Sequence, residues 1–173
     1  MNKKVLGIAL TVLFLAIMAV PVVAVSPKKI PVTMEMGGAY YNPPPTEAVW
    51  TSGNTKHGRG FTGGWGQWDI MIEEELFLAG SLETTYGSYN VNLKNGHGMI
   101  MRKMVITFDG GTFEGNNIQN GIIQMMGPTQ AFPMLVDGTV HAVFHGTGDY
   151  LGWTIVVTVE QPGAIREAYL LIP

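Results

Sequence analysis

The sequence feature that most constrains the fold is a series of glycine-containing turns that recur at short intervals. Asn-Gly and Asp-Gly pairs supply the positive φ angles that tight β-hairpins require. Between the turns, apolar and polar residues alternate, as in residues 88–93 and 154–160, which is the periodicity of a strand with one buried face. The predicted turns are Ala79-Gly80, Asn95-Gly96, Asp109-Gly110-Gly111, Asp137-Gly138 and residues 146–149.

Seven strands are predicted from this pattern, and no stretch from residue 46 onward has the 3.6-residue period of a capped helix. Residues 29–36 are predicted to be extended, with breaks at Gly37-Gly38 and at the prolines of residues 43–45, and residues 47–52 are predicted to form a short strand. Residues 53–66 contain six glycines and are predicted to form a mobile loop. The predicted strands cover residues 68–77, 81–93, 99–108, 112–124, 139–145, 151–160 and 165–172.

Consecutive strands joined by short turns are typical of two architectures, the up-and-down barrel and the β-sandwich. A meander of sequential hairpins favours the barrel, because closing the sheet removes its exposed edges. We therefore expect an all-β fold, a single antiparallel up-and-down β-barrel of about eight strands after an N-terminal signal helix, with a β-sandwich as the alternative. The barrel domain is predicted to span residues 46–173, preceded by a linker and first extended segment over residues 25–45.

The first 24 residues have the three-part order of a signal peptide. Lys3 and Lys4 precede an uncharged run over residues 5–20, Pro21 ends the run, and small residues lead up to Ala24. Cleavage is predicted after Ala24, which would make the protein secreted or cell-surface. The alternative is an uncleaved membrane anchor, because about 20 apolar residues span the hydrocarbon core of a bilayer.

Composition excludes several classes of function. The chain has no cysteine, so disulfides, thiolate metal sites and cysteine nucleophiles are ruled out. Lys3 and Lys4 account for two of the ten basic residues, so the remainder carries eight basic residues against thirteen acidic ones. Nucleic acids and anionic lipids require a basic surface. We therefore predict no nucleic-acid partner, and membrane contact only through an uncleaved N-terminal segment.

His141 and His145 are the best candidates for a metal-binding pair, but their spacing argues against a shared ion. Four residues of a strand span about 13 Å, whereas a zinc ion lies about 2.1 Å from each ligating nitrogen. No Gly-x-Ser-x-Gly motif is present, and Glu114 is one acidic residue among thirteen. The sequence therefore predicts no catalytic residue, no metal site and no cofactor.

Aromatic residues occur on most of the predicted strands, together with eleven methionines. One interpretation is ordinary core packing. The other is a barrel cavity, since aromatic walls and pliable methionines are common in the binding sites of small ligands. On this second interpretation a small apolar ligand is predicted to contact Trp68, Tyr89, His141, His145 and Trp153.

Turn glycines in the C-terminal half carry a resemblance to known proteins. The motif Gly-Thr-Phe-Glu-Gly at residues 111–115, the motif His-Gly-Thr-Gly-Asp-Tyr at 145–150 and the closing segment 167–173 resemble uncharacterised secreted proteins of archaea and bacteria. Those proteins look like small β-barrels of the allene-oxide-cyclase and dirigent type. The resemblance implies a fold, and it transfers no catalytic residue to this chain.

These observations predict an exported, non-catalytic β-barrel that binds a small apolar ligand or acts as an interaction module of the cell envelope. The alternative is a barrel isomerase or cyclase that acts on a hydrophobic substrate, with Glu114 or a histidine as its acid–base group. That alternative requires one of these side chains to face an open cavity.

Overall fold

The computed structural model of the protein describes residues 26–45, 48–126, 132–160 and 165–173, and the predicted signal peptide over residues 1–24 lies outside them. In the described part no helix is long and apolar enough to cross a membrane. The strands are β1 (Lys28–Asn42), β2 (Val49–Ser52), β3 (Thr55–Ile72), β4 (Glu75–Leu78), β5 (Gly80–Asn92), β6 (His97–Phe108), β7 (Gly111–Met126), β8 (Phe132–Gly146), β9 (Thr154–Val159) and β10 (Ile165–Ile172).

The ten strands form one antiparallel sheet that closes into a ring. Around the ring the order is β1, β3, β5, β6, β7, β8, β9 and β10, and β10 pairs back with β1. The short strands β2 and β4 both pair with β3. Because ring neighbours follow one another along the chain, the sheet is an up-and-down meander, and its closure confirms the predicted all-β, barrel-like fold.

The glycine-rich stretch over residues 53–66, predicted to be a mobile loop, forms most of β3 instead. Its glycines lie where other groups come too close for a side chain. A Cβ atom at Gly64 would lie 1.9 Å from the carbonyl oxygen of Leu82, and one at Gly58 would overlap the ring of Tyr89. The loop prediction is wrong because these glycines permit close packing within the sheet.

Two turn predictions and one strand prediction also need correction. No hairpin forms at Ala79-Gly80, because β4 and β5 on either side of it both pair with β3 and not with each other. The hairpin predicted at Asp137-Gly138 does not form, because β8 continues through both residues beside a register shift in β7. The strand predicted over residues 68–77 is divided by a tight turn at Glu73 and Glu74, whose φ angles are 51° and 69°.

Side chains that point into the ring form two apolar clusters. The larger cluster fills the end that holds the β6–β7 turn, which we call the plugged end because aromatic side chains close it. Its aromatic plug comprises Phe108, Phe113, Tyr150 and Trp153, whose neighbouring ring centroids lie 5.2–6.1 Å apart. The smaller cluster fills the opposite end, which we call the cavity end, and contains Phe61, Tyr89, Val91, Ile100, Ile123, Leu135 and Val140.

A layer of buried polar residues separates the two clusters. On β6 the inward positions run from Ile100 in the smaller cluster through Arg102 to Met104 in the larger one. The buried polar residues are Thr84, Arg102, Asn117 and Gln119. The interior of the ring is therefore divided into an apolar plug, a polar layer and an apolar cavity end.

Candidate functional site

The structure does not bring the five predicted ligand-binding residues together. Trp68 and Tyr89 are buried, but Trp68 belongs to the larger cluster and Tyr89 to the smaller one. Trp153 is half-buried in the aromatic plug, 5.5 Å from Tyr150 between ring centroids. His141 and His145 lie exposed on the outer face of β8.

The outer face of β7 and β8 carries the groups that the enzyme alternative would use. Glu114 is exposed and pairs in register with His145, and both residues border a surface groove of about 480 Å³. The Nδ1 atoms of His141 and His145 lie 3.3 Å from the hydroxyls of Thr158 and Thr154. These groups therefore face outward, away from the ring interior.

The described ranges contain no cluster of three or more His, Asp or Glu side chains that could hold a metal ion.

The candidate site is a partly open cavity at the cavity end, between β1, β3 and the start of β8. Its volume is about 240 Å³, equivalent to roughly eight water molecules at about 30 Å³ each. Aromatic side chains and the backbone of two glycines form most of its wall. The lining residues are Ala39, Tyr40, Tyr41, Phe61, Thr62, Gly63, Gly64, Trp65, Thr84, Arg102 and Phe132.

Aromatic contacts hold the cavity wall in place. The rings of Tyr41 and Phe132 lie 3.8 Å apart between centroids, and the Phe61 ring lies 6.2 Å from both Tyr41 and Tyr89. Phe61 is 1% exposed, and Gly87 beneath it leaves the space that its ring occupies. Each of these rings is packed against another, and these contacts restrict how far the wall can move.

Arg102 supplies the one charged side chain among the described residues that line this cavity. It is 7% exposed, and its guanidinium carbon lies 5.6 Å from the centroid of the Phe61 ring. On the neighbouring strand Asn117 stands directly opposite it in register. Arg102 therefore connects the apolar cavity to the polar layer below.

Tyr41 places a hydroxyl group in the same wall. Burial raises its pKa well above the usual value for tyrosine, and the nearby Tyr89 adds to this rise, while the positive charge of Arg102 opposes it. Tyr41 is therefore a neutral phenol at physiological pH, able to donate a hydrogen bond.

A second, much smaller cavity of about 10 Å³ lies within the polar layer, and Trp65 and Arg102 line both cavities. Two buried polar atoms of residues on its wall, Trp68 Nε1 and Asn117 Oδ1, have no hydrogen-bond partner within the described chain. A space of this size is close to the minimum that holds one water molecule.

Sequence reasoning missed the residues of this site for identifiable reasons. Phe61 and Trp65 fall in the stretch predicted to be a loop, so their side chains had no predicted direction. For Arg102 a signal was present. Ile100, Arg102 and Met104 alternate with residues 101 and 103, so the two-residue period places the arginine on the apolar, inward face of the strand.

Comparison with protein-family models, with curated proteins and with solved structures finds no match to this chain.

Proposed function

We propose that this protein is an exported, non-catalytic, barrel-like protein that binds a small apolar molecule in the cavity at the cavity end of its ring. The observation that carries the proposal is the cavity of about 240 Å³ with its packed aromatic wall of Tyr41, Phe61, Trp65 and Phe132. Such a concave, apolar site with a few convergent polar groups is what small-molecule binding requires.

Two features favour binding over catalysis. The candidate acid–base groups of the enzyme alternative, Glu114 and the histidines of β8, lie exposed on the outer face. Within the described lining, the ionisable side chains are Arg102 and the tyrosines Tyr40 and Tyr41. Arginine does not release its proton in proteins and so is a poor general base.

The cavity favours a ligand-binding protein over an interaction module of the cell envelope. Aromatic groups that are packed on one another but open to a cavity are suited to receive an apolar molecule, because the ligand gains contact with a wall that is already ordered.

The test is a titration of the protein with an uncharged apolar probe, 1-octanol, followed by calorimetry. Ala39 lies exposed at the rim, paired in register with Trp65, so Ala39→Trp should fill the entrance. We expect this variant to bind octanol at least tenfold more weakly than the natural protein. Ala79→Trp adds the same group at an exposed site away from the cavity lining and serves as the matched control.

Binding by the natural protein and by Ala79→Trp, with loss in Ala39→Trp, supports the proposal. Absence of octanol binding to the natural protein, or equal binding by both variants, would overturn it. Native mass spectrometry of the protein purified from its own host adds a direct search for a bound molecule.

Export is a separate part of the proposal and rests on the signal-like order of residues 1–24. The intact mass of the protein recovered from its host tests it. A mass that lacks residues 1–24 supports cleavage after Ala24, whereas a full-length mass in the membrane fraction supports the anchor, and a full-length mass in the cytoplasm contradicts export.

A further inference from the structure

The strand pairing of the ring ends early on one side, near the cavity end. β10 pairs with β1 as far as Glu35, and β9 pairs with β8 as far as Val140. Residues 36–42 of β1 and residues 132–139 of β8 extend beyond these points. In the described part of the chain, the first of these segments pairs with β3 alone and the second with β7 alone. Two strand edges therefore face each other with no described strand between them, across a gap that we call the seam.

The cavity described above lies directly behind the seam. Its lining includes Ala39, Tyr40 and Tyr41 from one edge and Phe132 from the other. Ala39 and Tyr40 are exposed to solvent. The rings of Tyr41 and Phe132 lie 3.8 Å apart between centroids, so an aromatic contact joins the two edges. Side-chain packing thus bridges the seam, whereas a strand ladder joins β8 to β7 at the same height.

Buried side chains occupy the two routes from the cavity along the axis of the ring. On β5 and β6, the inward positions between the cavity lining and the rim of the ring hold Tyr89, Val91 and Ile100, none of which is more than 4% exposed. In the opposite direction lie the buried polar layer and the aromatic plug. The cavity is therefore open sideways, where it borders on the exposed residues Ala39 and Tyr40.

A glycine pair lies in β1 just beyond the point where its pairing with β10 ends. Gly38, the second of the pair, has a φ angle of 65°, which glycine adopts without strain. A Cβ atom at Gly38 would meet the backbone of Gly66 on β3 first, at 3.8 Å, which is an ordinary contact distance. Because this point of the strand is loosely packed, the segment of β1 after Gly38 can change direction relative to the part that pairs with β10.

From these observations we propose that the seam is a lateral gate, through which the ligand enters the cavity between β1 and β8 when the Phe132 ring moves away from Tyr41. The inference rests on the proposed function and specifies how the same cavity is reached. Movement of Phe132 breaks side-chain contacts, whereas opening the ring between paired strands would break a ladder of backbone hydrogen bonds. The rates of ligand entry and release should therefore depend on the contact between the two edges of the seam.

Tethering the two edges of the seam tests the gate, because the chain has no cysteine of its own. Ala39→Cys and Met134→Cys place one thiol on each edge at an exposed position, each two residues from the contact between Tyr41 and Phe132. Bismaleimidoethane then joins the two thiols covalently. The control is the same double variant with each thiol capped separately by N-ethylmaleimide, which adds similar bulk without a link.

Stopped-flow fluorescence with 8-bromo-1-octanol measures the rates, because bromine quenches tryptophan and Trp65 lines the cavity. We expect the tether across the seam to slow both entry and release by about tenfold or more, since a closed lid limits exchange. Kd should stay nearly unchanged, because a gate alters the barrier and not the bound state. A second tether, between Thr33→Cys and Glu167→Cys, joins β1 to β10 at register partners that a ladder already holds, so we expect it to leave both rates unchanged.

A second experiment tests the gate without a ligand. Thr84 lines the cavity and is 3% exposed, so the thiol of Thr84→Cys reacts with N-ethylmaleimide when the cavity opens. We expect Phe132→Ala to raise this labelling rate by about tenfold or more, because the smaller side chain no longer closes the seam. Phe77→Ala is the matched control, since its exposed ring stacks on Trp153 at the plugged end. Ala142→Cys, buried in the larger cluster, reports opening of the whole fold, and Phe132→Ala should not raise its labelling rate.

The outcomes separate the gate from the function on which it rests. If 8-bromo-1-octanol does not bind the natural protein, the proposed function fails, and the labelling of Thr84→Cys still tests whether the seam opens. If the tether across the seam leaves both rates unchanged, or if the tether between β1 and β10 slows them equally, the function stands and the lateral gate is wrong. Equal labelling of Thr84→Cys in the Phe132→Ala and Phe77→Ala backgrounds would refute the gate as well. The tether experiment keeps the natural Phe132, so it decides the matter even if Phe132→Ala does not fold.

Discussion

Replacing Gly87 with alanine would test whether the cavity wall is packed as the structure shows. A Cβ atom at this position would lie 2.2, 2.3 and 2.5 Å from three carbon atoms of the Phe61 ring. Carbon atoms pack at about 3.5–4.0 Å, so the ring would have to move by more than about 1 Å. Phe61 is 1% exposed and contacts Tyr41 and Tyr89, so its ring can move away from Gly87 only by giving up these contacts and entering the cavity that it lines.

The expected cost of Gly87→Ala is about 1–3 kcal/mol of unfolding free energy, the range for overpacking a well-packed core. Phe61→Leu removes the ring atoms that cause the clash. By itself it should lower the unfolding free energy by less than a Phe→Ala change in a core does, which is about 3–5 kcal/mol. Combined, the two substitutions should cost at least about 1 kcal/mol less than the sum of their separate effects, because the smaller side chain makes room for the new methyl group.

Urea-induced unfolding, followed by tryptophan fluorescence, measures these free energies, and each kcal/mol should lower Tm by about 2–4 °C. Gly66→Ala is the control. Gly66 is exposed, and a Cβ atom there would meet only the carbonyl oxygen of Gly38, at 3.7 Å, so we expect a change within about 0.5 kcal/mol. If Gly87→Ala is equally neutral, or if its effect and that of Phe61→Leu simply add, then the Phe61 ring does not rest on Gly87. The proposed cavity wall would then be wrong as well.

Three further predictions concern the rest of the ring. Tyr150→Phe removes the hydroxyl that donates a hydrogen bond to the carbonyl oxygen of Asp109, 2.5 Å away, and should cost about 0.5–1.5 kcal/mol in urea unfolding; an unchanged midpoint would refute the contribution of this bond. Burial raises the pKa of Tyr89 and of Tyr150 in the folded protein. Both phenols therefore stabilise the fold fully below about pH 10. This contribution is lost at higher pH, because the unfolded chain releases its tyrosine protons before the folded protein does. Unfolding free energies between about pH 8 and about pH 11 should therefore fall with pH by at most about 1.4 kcal/mol per unit for each tyrosine, and Tyr89→Phe should flatten that slope. Gly138→Ala should destabilise by more than about 1 kcal/mol, because φ is 134° there and a Cβ atom would lie 2.2 Å from the carbonyl oxygen of Asn120; normal stability would show that β8 has a different path.

Local sequence signals predicted the strands and turns that depend on local chemistry. The alternation over residues 88–93 identifies the end of β5, and Asn95-Gly96 and Asp109-Gly110 form turns in which Gly96 and Gly110 have φ angles of 73° and 86°. These features were predictable because a hairpin turn and a half-buried strand need particular residues within a few positions of one another.

The same glycine signal failed where glycine has another use. In β3, a glycine at position 58 leaves room for the ring of Tyr89, and one at position 64 leaves room for the backbone of β5. From the sequence alone, a glycine that permits a turn cannot be told from one that admits a distant group. The second use depends on which residue packs opposite, and that residue lies more than 15 positions away in both cases.

By itself the sequence determined the fold class, because a two-residue apolar period interrupted by hairpin turns can bury its apolar face only in an antiparallel sheet. The two-residue period of the sequence also places Arg102 on the inward face of β6. Only the tertiary structure decided where the candidate site lies, because closing the ring brings Tyr41 of β1, Phe61 of β3, Arg102 of β6 and Phe132 of β8 to one cavity. The same closure places the side chains of His141 and His145 on the outer face of β8. The direction of a side chain follows from strand register, and the register across a closed sheet is set by packing between residues that are distant in the chain.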